Sequence, residues 1–146
     1  MKCDRRFVGS VWTVRNKDKK LHREEVVIGF FSVSVKFALD GCGPIWISAV
    51  YGLNSPSLRK DFWVELLDIF GLSFLLWCVG GDFNVIKRSL EKLSGSSLTS
   101  SMKDFDSFIR ECELLDPPLR NASFTWSNMQ ESPVCKRLDR FLYSNE

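Results

Sequence analysis

"LLWCVGGDFNVIKRS", residues 75 to 89, decides how the chain is read. Leu75 to Val79 is a short, continuous apolar run that carries Trp77 and is closed by two glycines, the pattern of a buried strand. Asp82 and Asn84 follow at once, with only Phe83 between them. Glycine and Asx residues are ordinary turn chemistry, because glycine supplies positive φ and Asx side chains bond their own backbone. Polar groups at the carboxyl end of a core strand are also where α/β proteins collect their chemistry, since a rigid scaffold meets open space there. Alone, the stretch reads as a turn; its neighbours decide whether it is more.

Upstream, "NSPSLRKDFWVELLDIFG" repeats apolar residues at helical spacing (Leu58, Phe62, Leu66, Ile69), with Gly71 placed to cap the end. Before it, "VVIGFFSVSVKFAL" (Val26 to Leu39), the turn signal "DGCG" and "PIWISAVY" (Pro44 to Tyr51) predict a β-hairpin over residues 26 to 51. Its first strand alternates, with Phe31, Val33, Val35 and Phe37 on one side and Ser32, Ser34 and Lys36 on the other. Downstream, "KLSGSSLTSS" is a loop, and "SMKDFDSFIRECELLD" is a second helix opened by a Ser101-x-x-Asp104 capping box and stopped by Pro117-Pro118. Met102, Phe105, Ile109 and Cys112 form its apolar stripe. "SFTWS" and "RLDRFLYS" are two short closing strands. The order β-β-α-β-α-β-β predicts an α/β (or α+β) layered fold, a mixed sheet with helices on its outer face. Residues 1–25 read as a poorly specified basic segment and 26–146 as the folded domain.

Composition sets the outer limits. The 146 residues are 45% hydrophobic with twelve Phe and five Trp, which is globular sequence long enough for one real core. A formal net charge of +2 does not announce a polyanion partner, and the basic stretches "MKCDRRF", "VRNKDKKLHR" and "IKRSLEK" read as solvated faces. Cys3, Cys42, Cys78, Cys112 and Cys135 form no CxxC pair. With no signal peptide and no long apolar segment, they suggest a reducing intracellular compartment, the nucleus included, and no membrane. His22 is the one histidine. That argues against a zinc site and against a Ser-His or Cys-His nucleophile, unless His22 itself serves from its charged surroundings.

Three predicted strand ends carry similar groups: Tyr51 and Asn54 in "AVYGLN", Asp82 and Asn84 in "VGGDFN", and Asp139 in "KRLDRFLYS". Each has a plain structural use: a rim aromatic, a helix N-cap, a turn, and a strand-end partner for Arg137 or Arg140. Together they place a phenol, two amides and two carboxylates at strand ends of one sheet. That set suits phosphodiester chemistry, which needs a carboxylate to hold a metal or deprotonate water and neutral donors for the charge on phosphorus oxygens. Asp82 and Asn84, two apart on an extended segment, would point the same way.

These motifs resemble the endonuclease/exonuclease/phosphatase superfamily, the DNase I-like fold. "WCVGGDFNVI", "DFDSFIRECELLDPPLRNASFTWSN" and "CKRLDRFLYSNE" are most similar to the endonuclease region of plant LINE-type (non-LTR) retrotransposon polyproteins, in order and spacing from about Val26 to Glu146. The resemblance implies a two-sheet α/β sandwich that cleaves DNA with magnesium or manganese. It implies that Asp82 orients or deprotonates the attacking water and is the metal ligand. Asn84 and Tyr51 would contact the phosphate, and Asn54 would help position it. Asp139 would orient a catalytic histidine, and Thr125, Trp126 and Ser127 would line the DNA groove.

The chain departs from that pattern in two places. The family's amino-terminal metal-binding Glu has only Glu24 and Glu25 as stand-ins, and its Ser-Asp-His motif would fall after Glu146. The resemblance therefore implies a partial domain, shortened at both ends, that is inactive as it stands. The competing readings are a catalytically dead remnant that binds nucleic acid, a phosphatase or RNA phosphodiesterase of the same superfamily, and an unrelated binding module in which Asp82 and Asn84 merely close a turn.

Overall fold

The computed structural model describes residues 21–39, 42–73, 76–93 and 99–145. Of the basic segment 1–25, residues 1–20 lie outside the described residues. The strands are β1 (Leu21–Ile28), β2 (Ser32–Leu39), β3 (Cys42–Tyr51), β4 (Leu76–Asp82), β5 (Lys92–Leu93), β6 (Leu114–Leu115), β7 (Trp126–Ser127), β8 (Cys135–Lys136) and β9 (Asp139–Ser144). The helices are α1 (Pro56–Ser73) and α2 (Ser100–Glu111). Six strands form a mixed sheet in the order β1-β2-β3-β4-β9-β6, and β5-β8-β7 form a second, smaller sheet. No helix among the described residues is long and apolar enough to cross a membrane.

The hairpin is present as β2 and β3, but Val26 to Leu39 is not one strand. The chain turns back at Gly29, whose N–H donates to the Ser32 carbonyl, and residues 21 to 28 pair antiparallel with β2. Glu65 of α1 closes this turn, its carboxylate accepting from the Phe30 and Phe31 amides and the Ser32 hydroxyl. Phe31 consequently leaves the side assigned to it by alternation and packs edge-on against Phe62.

The alternation of β2 is correct in period and inverted in meaning. Ser32 and Ser34 face the helices and are buried, whereas Val33 on the opposite face is 44% exposed. Hydroxyls are tolerated in the core because they are satisfied: Ser34 and Ser48 share a 2.6 Å bond, and Trp77 Nε1 donates to Ser48 at 2.8 Å. The outward row instead carries apolar side chains, as expected of a sheet made to be covered on both faces.

The helices cover the inner face. Phe62, Leu66 and Ile69 of α1 and Met102, Phe105, Phe108 and Ile109 of α2 are buried, each contributing on the order of 1.5–3 kcal/mol. Three expected termini are corrected. α2 ends at Glu111 with Cys112 as its C-cap, and Leu114–Leu115 form β6, so Pro117-Pro118 do not stop it. α1 runs through Gly71 to Ser73, so Gly71 is not its cap. The N-cap of α2 is Thr99, whose hydroxyl accepts from Met102 N, and not Ser101, which bonds Arg59 instead. Helix geometry requires only that an acceptor reach the free N–H groups of the first turn, and Thr99 is the residue in extended conformation there.

Candidate active site

β4 does not stop at its two glycines; it continues through them to Asp82. Gly80 leaves room for the Phe141 ring, and Gly81, at φ +140°, lies so close to the Val50 carbonyl that a Cβ would collide with it. The glycines thus let β3 and β9 close in on both sides of the strand, which brings three strand ends level. Tyr51 pairs with Asp82 across the parallel β3–β4 ladder, and Asp82 pairs with Asp139 across the antiparallel β4–β9 ladder. Paired residues project from the same face of a sheet. Tyr51, Asp82 and Asp139 therefore form one lateral row at one end of the sheet.

Phe83 explains the spacing of the two Asx residues. Its ring is buried, stacked on Phe105 at 5.2 Å and edge-on to Phe62 at 6.2 Å, and its N–H donates to the Leu138 carbonyl. This anchor directs the chain inward for one residue and leaves the groups on either side at the rim. The extended segment expected from the sequence is not what forms: Asn84 has φ +51°. Asp82 Oδ1 accepts from Asn84 N at 2.7 Å, and Asn84 Nδ2 donates to the Gly52 carbonyl at 3.1 Å. The turn and the site are one object, because the Asx turn is what holds Asn84 beside Asp82 and ties both to the exit of β3.

Asp82 has its pKa raised, first by burial and further by the Asp139 carboxylate, with the Asn84 N–H acting in the other direction. Asp139 is exposed and is not the partner of the arginines beside it. Arg137 and Arg140 turn away to Asp116 and Glu91, forming a buried four-charge cluster in which the Arg140 side chain is fully enclosed. Arg140 also lies over the Phe105 ring at 5.1 Å. Burial alone would raise the Glu91 pKa, but its bonds from Arg140 and from the Lys87 and Arg88 amides bring it below the usual value. The alternation of Leu138, Arg140 and Leu142 marks Arg140 as inward-facing, but its partners are too far away in sequence to be read.

The remaining candidates divide. The Thr125 hydroxyl accepts from the Leu138 and Asp139 amides and so seats Asp139. Ser127 Oγ accepts from Met129 N, and Trp126 is 44% exposed with Lys136 Nζ 5.6 Å from its ring centre. Asn54 is exposed and accepts from Arg59 Nη2 at 3.1 Å. Asn54 and Asn84 line a cleft of about 190 Å³ together with Arg59, Lys92, Thr99 and Lys136. Its floor is the small apolar cluster of Ile86, Met102 and Leu138. Arg59, Lys92 and Lys136 went unnoticed in the sequence because each sits in a segment whose charges look like an ordinary wet surface.

His22 and the glutamates of β1 are not part of the rim. His22 pairs with Ala38, at the end of the sheet opposite Tyr51, and Glu24 pairs with Lys36 at 3.3 Å. Among the described residues no three carboxylate, cysteine or histidine side chains converge as metal ligands. Asp82 and Asp139 face each other and could each offer an oxygen to a cation, but among the described residues no third such ligand joins them.

No family model and no curated protein matches the sequence. Solved structures do match the fold. The endonuclease domain of TRAS1, a telomere-specific non-LTR retrotransposon, aligns with a TM-score of 0.68 at 12% identity, over 90% of this chain and 58% of that one. ANGEL2, a 2',3'-cyclic phosphatase, aligns at 0.58 and 15% identity, over 87% of this chain and 56% of its own. The human Nocturnin catalytic domain aligns at 0.56 and 11% identity, over 88% of this chain and 50% of its own. The chain thus spans between 50% and 58% of the length of these neighbours. Its fold is the DNase I-like α/β sandwich of these neighbours, in partial form, as the motifs led us to expect.

Proposed function

We propose that this chain engages a DNA phosphodiester at the Tyr51–Asp82–Asp139 rim, as part of a retroelement-type endonuclease fold, and that these 146 residues bind far better than they cut. The in-register placement of those three residues is the observation that carries the reading. Asp82 is the base: burial and the facing carboxylate raise its affinity for a proton, which is what a water-activating carboxylate requires. The Tyr51 hydroxyl and the Asn84 amide supply neutral donors toward phosphate oxygens. Asp139, seated by Thr125, has no histidine to orient, since His22 lies at the far end of the sheet.

Magnesium is implied by the fold family, but the described residues do not complete a site for it. With the donor set incomplete and no histidine at the rim, cleavage should be negligible, because removing one member of a concerted set can remove most of its effect. The test is nicking of supercoiled plasmid with magnesium, beside DNA binding, for the 146-residue chain and Asp82→Ala. Binding without nicking is expected of both proteins. Robust nicking abolished by Asp82→Ala would overturn the inactivity, and failure to bind DNA would overturn the reading as a whole.

A further inference from the structure

The cleft beside the rim contains an arrangement that the fold alone does not explain. Lys92 pairs with Lys136 across the β5–β8 ladder, so two like charges stand directly opposite each other. Such a pair destabilises a sheet, and it lies in strands of two residues each, with the Trp126 ring 5.6 Å from Lys136 Nζ as the contact that offsets part of it. Arg59 enters the same cleft from α1, held in place by neutral acceptors only, Asn54 Oδ1 and Ser101 Oγ. None of these three cations is in an ion pair among the described residues, and no acidic residue among them lines the cleft. Asn84 lines the cleft and is tied to the rim by its backbone bond to Asp82.

We infer that this cleft is a phosphate subsite for a neighbouring nucleotide of a bound strand, with Arg59, Lys92 and Lys136 holding the backbone phosphate. The assignment rests on the reading of the rim as phosphodiester-binding and extends it along the strand. A phosphate between Lys92 and Lys136 turns their repulsion into two attractions, and Arg59 is pre-oriented to add a forked donor. Asn84, a cleft-lining residue bonded to Asp82, marks where the rim and the cleft meet. Trp126, paired with Lys136 across β7–β8, offers an exposed ring beside the same path. The ligand class is the phosphodiester backbone, read by charge and not by base.

The test is binding of a short fluorescein-labelled single-stranded oligonucleotide to the 146-residue chain over a salt series, with Lys92→Gln, Lys136→Gln and Lys136→Arg. Each glutamine variant should weaken binding and reduce the slope of log affinity against log salt by about 0.7, the share of one phosphate contact on a single strand. Lys136→Arg should retain both. Amide shifts of Asn84, Lys92 and Lys136 on adding the oligonucleotide report the site directly and confirm that each variant is folded. Wild-type affinity and slope in both glutamine variants would overturn the subsite. So would saturation of these amides by inorganic phosphate that the oligonucleotide cannot displace, which would mark a site for free phosphate. A chain that binds through these lysines but lacks any response at Asp82 and Tyr51 would sink the rim reading and leave the cleft standing. Oligonucleotide-induced shifts at Asp82 and Tyr51 that persist unchanged with both lysines replaced by glutamine would do the reverse.

Discussion

Asp82 faces Asp139 directly across the β4–β9 ladder, two carboxylates from strands that meet only in the folded chain. Proximity of like charge disfavours ionising both, and burial of Asp82 adds to the same effect. Asp139→Asn should lower the Asp82 pKa while leaving it above the ordinary aspartate range, because burial, the larger cause, remains. Carboxyl-carbon NMR titration measures this. The sign for stability follows: with its folded pKa raised, Asp82 stabilises the fold below its unfolded pKa, and that contribution is lost as pH rises through the folded value. No shift of Asp82 in the variant would mean that the two side chains diverge.

Glu91 runs the opposite way. Its pKa is lowered in the folded protein, so its contribution is present above the unfolded value and is lost as pH falls through the folded one. Thermal melting should show a loss of stability on acidification below the usual glutamate range, and Glu91→Gln should flatten part of that loss. Removing one member of the buried cluster at neutral pH, as in Asp116→Ala, leaves two guanidinium groups to share the single carboxylate of Glu91 and should cost about 3–5 kcal/mol in urea unfolding. A cost within about 0.5 kcal/mol, the range of ordinary surface changes, would show that water replaces the lost carboxylate.

Ser48 joins a hydroxyl partner, Ser34, to the indole N–H of Trp77, and all three side chains are buried. Ser48→Ala leaves that N–H without its acceptor and should destabilise the chain by about 1–3 kcal/mol. The double replacement Ser34→Ala with Ser48→Ala should cost little more than the single one, since the hydroxyl pair disappears as a unit. Chemical denaturation of the three variants checks this, and fully additive losses would contradict the shared network.

The face of the sheet away from the helices carries exposed apolar groups: Val26 at 42%, Val33 at 44% and Ile28 at 78% exposure. Contiguous apolar surface of this kind attracts partners and dyes. The isolated chain should bind a hydrophobic dye and self-associate, and Val33→Thr with Val26→Thr should reduce both. A monodisperse monomer that melts cooperatively and binds no dye would show that the face is covered.

Much of the fold was readable because period survives context. The α2 stripe, the β2–β3 hairpin and the strand before "GGDFN" follow from spacing alone, and Asp82, Tyr51 and Asp139 could be placed at strand ends. What spacing does not carry is which face becomes the interior. Ser34 looked like the wet side of β2, yet it is buried, since a hydroxyl with a partner is acceptable in a core and β2 has two apolar environments to choose between. Gly29 was hidden inside an apolar run, and its turn depends on a carboxylate from α1. The Lys92–Lys136 pair was out of reach for a different reason: strands of two residues have no periodicity, so their register exists only once the rest has folded.

The β4–β9 pairing also bears on the order in which the molecule assembles. β2 and β3 are close in sequence and can zip early, and β4 joins them after α1 has crossed over. β9 reaches β4 only after the chain has closed a loop that contains α2 and the whole of the smaller sheet, and long loops delay contact formation. Asp139 is therefore among the last groups to arrive at the rim. Its row with Asp82 and Tyr51 is a late product of folding, and fraying of β9 would disperse it while the β2–β3–β4 core stays paired.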